Sequence, residues 1–143
     1  MTLQNLLAIH RLIEFKASRS DIQRLLSAAE RNLADAKIEA ISDENRFDAA
    51  CKCILQGALW ANGYRTSTSQ PGHHQTAIQS LPLTIGLDNG TVVLLDTLRK
   101  QRNVSDYQGD PVSPAAVEEC LKQGAKLMET LRQWLGANRP DLC

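Results

Sequence analysis

Between Leu98 and Asp110 the chain reads Leu-Arg-Lys-Gln-Arg-Asn-Val-Ser-Asp-Tyr-Gln-Gly-Asp, and Arg99, Lys100, Arg102, Asn103 and Tyr107 are residue types that handle phosphates and bases. Guanidinium and ammonium groups meet phosphate oxygens, a carboxamide hydrogen-bonds polar edges, and a phenol ring offers a stacking face. Stepping about 100° per residue, Val92, Leu95 and Leu98 form an apolar stripe, with Arg102 almost on its centre line and Asp106 beside it. An arginine placed there faces another helix or a partner, not open water. Arg102 and Asp106 also have the i, i+4 spacing of an intrahelical ion pair, and Asn103 and Tyr107 share the adjacent flank. The segment is either a polyanion contact or a staple between helices.

A second candidate is His73-His74, which follows Pro71-Gly72 and opens a short helix. Two imidazoles and the unsatisfied N–H groups of a helix start can meet an anion, and the polar loop from Arg65 leads into them. Adjacent side chains on a helix diverge by about 100°, so the pair alone does not make a metal site. Cys51 and Cys53, two apart, also have a poor zinc spacing, and no CxxC occurs. Neither a metal nor a cofactor is expected. The four cysteines (51, 53, 120 and 143) read as reduced, mostly buried thiols of a cytoplasmic protein.

The elements that must position these residues read as helices. Residues 3–16 are expected as one helix carrying His10 as a packing or surface residue. A cap at Ser18 or Ser20 opens the clearest amphipathic helix, with Ile22, Leu25, Leu26, Ala29, Leu33 and Ala36 on one stripe. Ser42 caps the next, which carries Phe47, Ala50, Cys51, Ile54, Leu55 and Ala58 and stops at Asn62-Gly63. Gly57 and the alanines make that helix thin, so a neighbour can approach closely. Residues 65–72 read as a loop, and Pro82 is expected to close the short helix begun at His73. Residues 91–107 form the helix of the Arg/Asn segment. Thr91-Val-Val-Leu-Leu is not a strand on this reading, because it finds no pairing partner. Ser113 caps and Pro114 begins the last helix, with Gly136 as its C-cap.

The fold class is therefore all-α: an antiparallel four-helix bundle with extra short helices. It forms a single domain over 1–143, with a core of about 18–136 and a tail at 137–143. Sixteen Lys+Arg balance sixteen Asp+Glu, so a polyanion site has to be local and no bulk attraction to nucleic acid follows. The N-terminus lacks the basic lead of a secretory signal, no apolar run is long enough for a bilayer span, and no membrane contact is expected.

In order and spacing, four stretches resemble the HEPN (higher eukaryotes and prokaryotes nucleotide-binding) family in its small bacterial branch. They are Leu25-Leu-Ser-Ala-Ala-Glu-Arg-Asn-Leu-Ala-Asp-Ala, Asn45-Arg-Phe-Asp-Ala-Ala, Ala61-Asn-Gly-Tyr-Arg and Gly72-His-His-Gln-Thr-Ala-Ile-Gln-Ser-Leu. Arg99-Lys-Gln-Arg-Asn-Val-Ser-Asp-Tyr fits the family's last patch. The resemblance implies a helical bundle that forms a homodimer, binds RNA or a nucleotide, and pairs with a nucleotidyltransferase-like partner protein in a toxin–antitoxin module. It assigns nucleic-acid binding to Arg65, His73, His74, Arg99, Lys100 and Arg102, and the chemistry of a ribonuclease version to Arg102, Asn103, Tyr107 and His74. Ribonuclease members carry a histidine a few residues after the arginine, but here Tyr107 stands in that place and no histidine follows His74. A phenol is a poor proton acceptor near neutral pH, so only His73 or His74 would restore the base of a metal-independent cleavage. The competing expectation is a non-catalytic interaction module, partner or neutraliser, in which the same residues hold a protein interface.

Overall fold

The computed structural model describes residues 2–14, 16–59, 64–66 and 73–142, with the backbone alone at 59, 64–66 and 73. The chain is mostly helical. In order it forms α1 (Leu3–Ala8), β1 (Leu12–Glu14), α2 (Arg19–Ala36), α3 (Asp43–Leu59), β2 (Tyr64–Thr66), α4 (His73–Gln79), α5 (Leu81–Thr84), α6 (Asn89–Gln108) and α7 (Pro114–Asn138), closing with a 3-10 turn at Pro140–Leu142.

The long helices begin where side chains cap them. Ser18 and Asp21 form a reciprocal capping box at α2, with Asp21 N–H donating to Ser18 Oγ at 3.1 Å and Ser18 N–H donating to Asp21 Oδ2 at 3.0 Å. Ser42, Asp88 and Ser113 accept from the N–H groups of Asn45, Thr91 and Ala116 in the same way. Gly109 ends α6 in the left-handed conformation (φ 73°), where its N–H donates to Ser105 O at 3.0 Å.

α3 lies at the centre, packed on α2 and α7 and, on another side, on α4 and α6. Its Phe47, Ala50, Ile54 and Ala58 meet Leu95 and Leu98 of α6 and Val117, Cys120 and Leu131 of α7 in the main core. Gly57 permits the close approach to α7: a Cβ built there would lie 2.9 Å from Leu131 Cδ1. Arg46 ties three helices together, donating through Nε to Ala36 O at 2.9 Å and pairing with Asp43 (3.4 Å) and Glu118 (3.9 Å).

Four expectations need correction. The N-terminal helix stops at Ala8, not near residue 16. Its end has the hydrogen-bond pattern of a Schellman cap, with His10 N–H donating to Leu7 O and Arg11 N–H to Leu6 O at 2.9 Å, and His10 holds φ 60° at the position usually given to glycine. The chain then turns into β1, which pairs antiparallel with β2 in the register Leu12↔Thr66, Ile13↔Arg65 and Glu14↔Tyr64. Part of the expected 65–72 loop is thus strand. Pro82 does not close a helix. It occupies the first turn of α5, where its missing N–H is not needed. Finally, α7 runs past Gly136 to Asn138, and Leu142 of the expected tail is buried with Ala17, Ile22 and Leu135. Thr91-Val92-Val93 is helical, as expected. The Asn62-Gly63 stop lies outside the described residues. No helix among them is long and apolar enough to cross a membrane.

Candidate functional site

The apolar stripe of α6 turns toward α3, and Val92, Leu95 and Leu98 are buried. One turn further on, Arg102 follows the same stripe inward, and its side chain is only 19% exposed. Its Nε donates to Asp48 Oδ1 of α3 at 2.7 Å, while Nη2 stands 3.4 Å from Asp106 Oδ2 on its own helix. Among the described residues no third carboxylate reaches it. Burial works against the guanidinium charge, but the Asp48 hydrogen bond and the charges of Asp48 and Asp106 outweigh it, so the Arg102 pKa is raised. Asp48 also faces Lys52 at 3.4 Å.

A second aspartate organises the neighbouring cations. Asp96 is buried on α6, with Oδ1 2.7 Å from Arg99 Nε and Oδ2 3.5 Å from Lys100 Nζ. Arg99 is largely buried by this arrangement, whereas Lys100 remains 66% exposed. Asn103 is half-buried on the flank, and Tyr107 projects from the end of α6 with 87% of its surface exposed. Beneath Arg99 and Arg102 lies a space of only about 10 Å³, lined by Cys51, Leu98 and Ile78 among others. It is too small for more than a single water.

The structure thus brings Arg99, Lys100, Arg102, Asn103 and Tyr107 onto one half of α6, with the two arginines held by carboxylates behind it. Ile78 shows that α4 packs against this half, and the half-buried His74 is on the same face of α4, one turn before it. His74 has a polar or electrostatic partner of its own. The side chains of Arg65 and His73 lie outside the described residues; the backbone places Arg65 opposite Ile13 and His73 at the start of α4.

Asp48 and Asp96 are the site residues that the sequence reading passed over. A signal for Asp48 existed. An inward arginine needs a counter-charge, and Asp48 borders the buried stripe of α3, three residues before Cys51.

The three described thiols, Cys51, Cys53 and Cys120, are buried. Cys51 and Cys120 stand 3.5 Å apart, and their mutual hydrogen bond together with burial pushes the Cys51 thiol up. Burial, with the nearby Cys120, pushes Cys53 up to about 12. None of the three forms a disulfide. Comparison with protein-family models, curated proteins and solved structures finds no match to this chain.

Proposed function

We propose that the chain is a HEPN-like antiparallel four-helix bundle, acting as a homodimer, that binds nucleic acid (RNA first) or a nucleotide through the C-terminal half of α6. On this reading it is the HEPN component of a bacterial toxin–antitoxin module with a nucleotidyltransferase-like partner. The observation that carries the proposal is the fixed orientation of Arg102. Asp48 and Asp106 hold its guanidinium on the α3-facing side of α6, while Lys100 and Tyr107 stand exposed on the outward side of the same half. An oriented guanidinium, and on the outer face an exposed ammonium and an open aromatic ring, are the kinds of group that contact phosphate and stack on a base. Binding is favoured over cleavage, because Tyr107 replaces the histidine that a ribonuclease of this family type carries.

A second reading rests on a separate observation. Val93, Thr97, Lys100, Val104 and Tyr107 recur at helical spacing on the outward side of α6, and Val93 and Val104 are 65% and 39% exposed. Such a stripe also suits a protein interface, of the dimer or of a partner.

The test measures single-stranded RNA affinity across a salt series for wild type, Lys100→Ala/Tyr107→Ala and Arg102→Ala, with sedimentation of each. The surface pair leaves folding intact and weakens RNA binding about tenfold or more, and the salt dependence flattens. Unchanged RNA affinity in both variants overturns the nucleic-acid reading. Loss of self-association in Lys100→Ala/Tyr107→Ala, with RNA affinity unchanged, establishes the second reading.

A further inference from the structure

Away from the Arg102 seam, α1 and α4 face each other across a cavity of about 660 Å³, within the ~300–1,000 Å³ usual for small-molecule sites. Its two walls differ. Ala8, Ile9 and the buried Leu6 of the α1 segment make one side largely apolar, with the carboxamide of Asn5 beside them, although Ile9 is 56% exposed there. On the other, Gln75, Thr76 and Gln79 lie on one face of α4 and present two carboxamides and a hydroxyl.

Arg11 completes the lining. The turn that aims it is built at some expense, since His10 adopts the left-handed conformation without being glycine. Its Nη1 donates to Thr76 Oγ1 at 3.5 Å, a long contact that a charged acceptor replaces with gain. Among the described residues no carboxylate pairs with Arg11, and none lines the cavity. One cation without a carboxylate partner among the described residues, three carboxamides and a largely apolar wall select a ligand with one negative charge, a polar amide-like middle and a short apolar part.

We infer that the cavity between α1 and α4 binds a small organic monoanion, its carboxylate on Arg11, its polar body on Gln75 and Gln79, and its apolar end against Leu6 and Ile9. The site is independent of the α6 reading and uses none of its residues. α1 contributes only Leu6 to the buried set and so can adjust over a ligand at little cost.

The experiment titrates the isotopically labelled full chain with N-acetylleucine, following backbone amide shifts, beside neutral N-acetylleucinamide and inorganic phosphate. N-acetylleucine gives saturable shifts confined to residues 5–11 and 75–80, while the neutral amide binds about tenfold or more weakly. Arg11→Gln loses the same factor, and Arg11→Lys keeps part of it, with unperturbed spectra elsewhere showing that both fold. No saturable shift at those residues up to about 10 mM overturns the inference. So does equal binding by Arg11→Gln, or phosphate binding as tightly as N-acetylleucine, which would reduce the site to a simple anion contact.

Discussion

Arg102 Nε and Asp48 Oδ1, 2.7 Å apart, join the end of α6 to α3 across 54 residues of sequence. Their side chains are 19% and 26% exposed, so the pair sits between the weak surface limit and the costly buried one. Asp48→Asn and Arg102→Met each lower stability by about 1–2 kcal/mol, and the double variant loses less than the sum, in urea unfolding. A neutral Asp48→Asn would show that Arg102 needs no counter-charge and would remove the preorientation on which the proposed binding rests.

Two helix-interior glycines respond in opposite ways. At Gly136 a Cβ meets nothing within 4 Å, and Ala there raises stability by about 0.5–1 kcal/mol through helix propensity alone. At Gly57 the Cβ already lies 2.9 Å from the buried Leu131, so Gly57→Val lowers stability by about 1–3 kcal/mol. If Gly136 were a left-handed C-cap, as its sequence position suggests, the first substitution would destabilise instead. Thermal midpoints of the two variants decide.

Acid sensitivity follows from the caps. The Ser18 backbone N–H and hydroxyl hold the Asp21 carboxyl below its ordinary 3.8, and the Thr91 N–H and hydroxyl do the same for Asp88. A lowered folded-state pKa contributes stability that is present above the unfolded value and is lost as pH falls through the folded one. The Asp21→Asn/Asp88→Asn double variant therefore loses less thermal stability than wild type between about pH 5 and about pH 2. Parallel melting curves across that range would show that the caps carry no pH-dependent share.

The buried thiols give a kinetic prediction. With Cys51 and Cys53 pushed up by burial and by Cys120, the native chain is alkylated at residues 51, 53 and 120 at least about 100-fold more slowly at pH 8 than in urea. Peptide mass spectrometry reads each site separately. Rapid native alkylation of Cys51 would show that the seam beneath Arg102 opens readily.

The sequence by itself determined the four long helices and which face of each is buried. Those features depend on local periodicity and on short-range caps at Ser18, Ser42, Asp88 and Ser113, each satisfied within three residues. It also placed Arg102 on an inward line, because helical geometry alone fixes that angle. Tertiary structure alone decided the rest. The strand at Leu12–Glu14 exists because it finds Tyr64–Thr66, 50 to 54 residues away in register, and no local signal marks such a pairing. Whether Arg102 met solvent, a second chain or a carboxylate depended on which helix packs beside α6. Both α3 and α4 do, and the acid that borders the α3 contact, Asp48, became its partner because a cation leaving water needs a nearby counter-charge.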